Sequence, residues 1–189
     1  KKKNYDWSQE FIKRINKNKK KKYNFKTYSF TGLNSKQAVK KIDKILHNLK
    51  FIKFIFIQIG INDSWYFKSL KGKPNISEKD FKKNLSYIIS KCKKKKIKHI
   101  IVLNYHKLLK ERVEINNKTL NQNLKPYQKI IKNLCSNKKR KLLLIDIQKE
   151  TRGISSSKIC LKLPDGVHLN KIGTKIYASI ILKKVQKIL

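Results

Sequence analysis

The chain has 189 residues with 49 basic against 11 acidic side chains, a net charge of +38. Its length suits one domain with a sizeable core, and the charge invites a nucleic-acid or anionic-surface reading. Yet the basic set is 45 Lys to 4 Arg, beside 27 Ile, 17 Asn and 2 Ala, which A/T-rich codons supply whatever the function.

Residues 7–18 (WSQEFIKRINKN) place Trp7, Phe11, Ile12 and Ile15 on one helical face. Residues 23–30 (YNFKTYSF) alternate apolar and polar and predict a strand. Asn34 or Ser35 can cap a helix through about Leu49, with Val39, Ile42, Ile45 and Leu49 as its stripe. A buried strand follows at 51–59. Ser77 then opens a helix with Asp80 in the first turn and Phe81, Leu85, Ile88 and Ile89 on its apolar face. The run 98–104 (KHIIVLN) is another strand, and 118–136 a helix in which Pro126 predicts a kink or a late start. A strand at 142–146 and a final helix at 170–189, with Ile172, Ile176, Ile180 and Val185 inward, complete the order.

Apolar strands separated by amphipathic helices predict a single α/β domain over 1–189, a three-layer α/β/α fold with a flavodoxin-like parallel sheet. In such sheets the first strand usually lies centrally. A chain that begins with a helix therefore leads us to expect a further strand preceding Lys1.

The lysine runs 19–22, 93–96 and Lys138–Lys141 fall at helix ends and connections, and Arg, the residue with the bidentate phosphate fork, is scarce. No specific nucleic-acid partner is expected. Cys92, Cys135 and Cys160 show no metal-ligand or disulfide spacing, so no metal or cofactor is expected. Lys53 and Gln58 interrupt the best apolar run, so no membrane span is expected. The opening KKKNYDW shows no export signal and no initiator Met, giving a cytoplasmic expectation. Oligomeric state is left open.

Ligands of open parallel sheets bind at the carboxyl ends of the strands. The polar segments expected there are TGLNS (31–35), GINDS (60–64), NYHK (104–107) and the loop ending LPDGVHLN (163–170). His47 sits in a helix and His99 at a strand start, away from that rim. His106 is on the rim but has no acidic neighbour in sequence. His168 follows Asp165 by three residues across a Gly, a spacing that lets the carboxylate accept the Nδ1 proton and leave Nε2 as a base. PDGVHLN also reads as a capped loop with Asn170 as the N-cap. Asn62 and the Gly32 backbone N–H are donors at strand ends, suited to an oxyanion, and Asp63 reads as a brace for its loop.

Three of these segments together resemble the SGNH hydrolases, also called GDSL-type esterases. TG at 31–32, GIND at 60–63 and DGVH at 165–168 match that family's second, third and fourth blocks in order. The resemblance implies an esterase in which His168 is the general base, Asp165 orients it, and Gly32 and Asn62 complete the oxyanion hole. The substrate would be a small-molecule ester, with no cofactor. The first block, a Gly-Asp-Ser carrying the nucleophile, occurs nowhere in the 189 residues, and it is expected upstream, on the strand preceding Lys1. A non-catalytic binding module with the same cleft is the alternative, and a basic nucleic-acid binder a more distant one.

Overall fold

The computed structural model describes residues 6–17, 23–67, 71–109, 113–137, 141–186 and 188. The basic run 19–22, most of the run ending at Lys141, and the last residues of the expected C-terminal helix lie outside these. The chain forms two compact units, one from Lys1–Phe30, His106–Lys110 and Ile147–Leu189, the other from Thr31–Tyr105 and Glu111–Asp146.

The second unit holds the sheet. Strands β1 (Phe54–Ile57), β2 (His99–Leu103) and β3 (Leu142–Ile145) lie side by side in that order, all parallel. Phe54 is in register with His99 and Ile100 with Leu142, so the strands are shorter than the apolar runs that announce them. Phe51, included in the expected strand, is fully exposed. The β-branched run of β2 is buried throughout after His99, as a central strand covered on both faces requires. His99 stacks its ring on Phe54 with centroids 5.0 Å apart, a structural place at the start of the strand.

Three helices belong to this unit: α2 (Ser35–His47), α3 (Glu78–Lys94) and α4 (Leu120–Ser136). Each begins with a side-chain cap. Asn34 accepts from the Gln37 amide while the Gln37 side chain accepts from Asn34 N, a full capping box. Ser77 accepts from the Asp80 amide at 3.1 Å, and Thr119 and Gln122 form a second capping box. Pro126 lies inside α4, so the late start expected there is not found. Phe81, Leu85, Ile88, Ile89 and Cys92 form one buried face of α3, and burial pushes the Cys92 thiol up to about 12. Of the stripe expected on α2, Ile42 is buried and Val39, Ile45 and Leu49 are half-buried, while the other fully buried positions are Ser35 and Leu46. Burying Ser35 at the start of the helix rotates its inner face.

The first unit contains α1 (Trp7–Lys17), two one-turn helices α5 (Ile147–Glu150) and α6 (Ser156–Ile159), and α7 (Lys171–Val185). Helices α1, α5 and α6 each pack on α7. The expected strand at 23–30 is absent: these residues carry no regular structure. Their alternation has another cause. Asn16 on α1 both accepts from Tyr23 N and donates to Tyr23 O, while Phe25 meets Phe11 edge-on with centroids 5.7 Å apart. Tyr23 and Phe25 pack on a helix while Tyr28 and Phe30 stay exposed, and the sheet among the described residues has three strands rather than the four expected.

Helix α7 also departs from expectation. Its buried residues are Gly173, Thr174, Tyr177, Ala178, Ile181 and Val185, while Ile172 is 49% exposed. Ile and Tyr residues occur nearly all round this helix, so periodicity could not select a face. Gly173 selects it: a Cβ there would lie 2.1 Å from the Ile159 carbonyl oxygen.

Candidate active site

In the first unit, residues 160–170 form a loop folded back on itself before α7. Cys160 and Leu169 pair as an antiparallel bridge, and Leu161 N donates to His168 O at 2.8 Å. Asn170 closes the loop three ways: its side chain donates to the carbonyls of Lys158 and Cys160 and accepts from Gly173 N as the N-cap of α7. At the tip, Asp165 Oδ1 accepts from the amides of Val167 and His168 at 3.0 and 2.8 Å, a carboxylate turn of the kind Asp supports. Gly166 takes φ +60 there.

This turn brings Asp165 and His168 together. The His168 Nδ1 atom lies 2.9 Å from Asp165 Oδ2 and 3.2 Å from Oδ1. Such a contact favours the tautomer with the proton on Nδ1, which leaves the Nε2 lone pair available. The His168 side chain is 76% exposed, that of Asp165 only 25%. Burial acts to raise the Asp165 carboxyl, but the bonds from the His168 and Val167 amides and the His168 ring outweigh it and hold the group below the usual carboxylate range. The pair can therefore serve as an oriented base.

In the second unit, β1 runs out into the GIND turn. Gly60 has φ +128, and a Cβ on it would stand 3.1 Å from the Phe81 ring, so both backbone and space ask for glycine. Asn62 Nδ2 donates to Leu33 O at 2.9 Å, and Asn75 Nδ2 donates to Asn62 O at 2.8 Å. An amide nitrogen has two hydrogens, and only one is needed to hold this plane. Asp63 is wholly buried, and its carboxylate accepts from Ser35 N at 2.9 and 3.1 Å. It thus ties the GIND turn to the first residue of α2. Burial raises the Asp63 carboxyl, and the Ser35 bonds partly offset this. Gly32 lies in the turn before α2 at φ +69, with open space where a Cβ would be.

Gln58, Asp146 and Lys132, given no place at the rim by the sequence reading, join Asn104 of the expected NYHK segment at the carboxyl end of this sheet. Gln58 after β1 donates to Asn104 O, Asn104 after β2 donates to Asp146 Oδ1 at 2.7 Å, and Lys132 pairs with Asp146 Oδ2 at 2.9 Å. Polar residues closing three apolar strands were the available signal. Glu114, also buried, accepts from Tyr66 N. In the first unit, His106 is 2% exposed rather than open to a ligand, held between Tyr177 and Cys160. Among the described residues no group of three His, Cys, Asp or Glu side chains could hold a metal ion, and no helix is long and apolar enough to cross a membrane.

The sequence matches the model of the GDSL-like lipase/acylhydrolase family over residues 2–181. The chain belongs to that family. The resemblance carried by TG, GIND and DGVH is therefore sound, and with it the α/β fold. Solved structures agree on the fold of this GDSL-like chain. A variant of Axe2, an acetyl xylan esterase from Geobacillus stearothermophilus, superposes with a TM-score of 0.76 at 14% identity, covering 95% of this chain and 81% of its own. TesA gives 0.71 at 15% identity, covering 98% and 89%. LAE5, an alpha/beta hydrolase enzyme from the metagenome of Lake Arreo, Spain, gives 0.64 at 16% identity, covering 84% and 70%. No curated protein matches the chain.

Proposed function

We propose that this member of the GDSL-like family is a serine-dependent hydrolase of small-molecule esters working through an acyl-enzyme. The observation that carries the reading is the 2.9 Å contact between Asp165 and His168 Nδ1, made by the motif that the family resemblance assigns to the base. In this reading His168 Nε2 removes the serine proton as the hydroxyl attacks the ester carbonyl. The Asp165 carboxylate steadies the imidazolium that results. The Gly32 amide and the second Asn62 amide hydrogen receive the developing oxyanion, and Asp63 supports Asn62 by fixing its turn. The alkoxy group leaves with the proton from His168, and water then releases the acyl group by the same route in reverse.

Support also comes from the solved relative. Catalytic mutants of Axe2 change a serine, and an aspartate and a histidine spaced three residues apart, the spacing of Asp165 and His168. The serine itself is not assigned within residues 1–189, which contain no Gly-Asp-Ser. We place it upstream of Lys1. That same gap favours a second reading, a binding module that keeps the fold without the nucleophile.

The test is turnover of a short-chain aryl ester by the chain carrying the coding sequence that precedes Lys1. His168→Ala should lower kcat by about 10³-fold or more, and Asn62→Ala by about 10²-fold. Turnover unchanged in both variants would overturn the assignment. A preceding segment without a serine block, together with no turnover, would select the binding module.

A further inference from the structure

The Asp165–His168 pair stands at the exposed tip of its loop, yet the foot of that loop is buried against a trio that the proposed chemistry does not use. His106 Nδ1 lies 2.6 Å from Tyr177 Oη, and Nε2 lies 3.1 Å from Cys160 Sγ. The His106 backbone N–H also donates to Tyr177 Oη, at 3.3 Å. A neutral imidazole donates at one ring nitrogen and accepts at the other, and both the Tyr177 hydroxyl and the Cys160 thiol can fill either role, so one ring proton suffices to bond both partners. Burial holds the imidazole down to about 4, so at neutral pH the ring is uncharged and carries the single proton this chain of bonds needs.

The segment that begins with His106 holds the loop at two heights. At the foot, His106 meets Cys160, the residue paired with Leu169 across the loop. Near the tip, Leu109 N donates to Gly166 O at 2.9 Å, directly beside Asp165. Tyr177 reaches the same histidine from the buried face of α7. Few other side chains can take a proton at one edge and give one at the other across a rigid ring.

We propose that His106 is a positioning residue: by bridging Tyr177 Oη and Cys160 Sγ it fixes the 160–169 loop and so keeps Asp165 within reach of His168 Nδ1. This rests on the reading of His168 as the base, because positioning matters to turnover only if that pair does the chemistry. A displacement of an ångström in a catalytic pair is enough to cost about 10²-fold in rate.

The test reads the pair without requiring activity. Histidine labelled with ¹⁵N in the 189-residue chain reports, through long-range proton–nitrogen correlation followed across a pH series, which nitrogen of the neutral His168 ring carries the proton. The parent should hold the Nδ1–H form, and Asp165→Asn should lose that preference. Tyr177→Phe, which keeps the ring and removes the hydroxyl, should weaken it, and so should His106→Asn. His106→Gln, whose amide can still donate to sulfur, should restore part of it. In the chain extended upstream, the same variants should lower kcat about 10- to 100-fold with KM little changed. Folded Tyr177→Phe and His106→Asn proteins that keep both the Nδ1–H form and kcat would overturn the inference and leave the esterase reading standing. Turnover that survives His168→Ala would instead remove the esterase reading, while the tautomer coupling would still be decided by the spectra.

Discussion

Gly173→Ala sets two opposing effects against each other at the start of α7. Alanine is the better helix former by about 1 kcal/mol, so on propensity alone the change would stabilise. The added Cβ, however, would lie 2.1 Å from the Ile159 carbonyl oxygen, 3.0 Å from its carbon and 3.1 Å from its Cα. These are backbone atoms and cannot swing aside as a side-chain tip could. Bringing the oxygen contact to 3.0 Å needs a shift of 0.9 Å (3.0 minus 2.1). That oxygen also accepts from Asn170 N at 2.9 Å, and a shift of this size would stretch the bond past useful length. Losing it removes about 1 kcal/mol, and overpacking of this kind costs about 1–3 kcal/mol. Against the propensity gain, a net loss of about 2 kcal/mol is expected. For a chain of this size that corresponds to a fall in Tm of about 4–8 °C. Thermal unfolding followed by circular dichroism measures it. Asn170 anchors the loop bearing Asp165 and His168, so ester turnover should fall as well. A variant as stable as the parent, or more so, would refute the argument, because propensity would then outweigh the close approach. Gly32→Ala is the contrasting case: it meets no atom within 4 Å and should show only the cost of its left-handed φ, about 1–2 kcal/mol.

Three further outcomes are expected. The folded His106 imidazole is depressed from 6.5 to about 4, so its contribution is complete above 6.5 and is lost as pH falls from there to 4. The lost stability is on the order of 3 kcal/mol. Urea midpoints across that range should fall in the parent and flatten in His106→Asn. The Asp165 carboxyl is held below its ordinary 3.8; its contribution is therefore present above that value and fades as pH drops through the lower folded value. Asp165→Asn should remove that part of the acid-side slope in the same titration. Asp63→Ala leaves the buried Ser35 N–H without its acceptor and should cost about 1–3 kcal/mol in urea unfolding, with esterase activity falling as the Asn62 turn loosens.

How much of this could be read from the chain depends on whether a feature is local. The caps at Asn34, Ser77 and Asn170 are built from residues within three positions of one another, and each forms as its motif suggests. The Asp165–His168 contact is equally local, an i to i+3 pair bent by its own turn, and DGVH predicted it. Strand β2 was visible because it is central and buried along nearly its whole length, and β1 and β3, half-buried until their last residue, still show as short apolar runs. The alternation of residues 23–30 misled because period 2 reports which side of an extended segment is covered, and says nothing of what covers it. Here α1 meets Tyr23 and Phe25 through Asn16 and Phe11, Tyr28 and Phe30 stay exposed, and no strand forms.

What stayed illegible was long-range. Ser35 is paired with Asp63 and Asn84, so the inner face of α2 is set by residues that no window around α2 contains. Cys160 and Tyr177 lie 54 and 71 positions from His106, and nothing about any one of the three marks it as part of a trio. The same physics explains why the sequence around His106 carries no sign of its role. An acidic neighbour in sequence marks the imidazoles enlisted for catalysis, which usually have charged partners. A histidine with neutral partners on both nitrogens serves the opposite purpose. It stays uncharged in an apolar place and connects two elements, and here those elements are α7 and the loop that carries the charged pair.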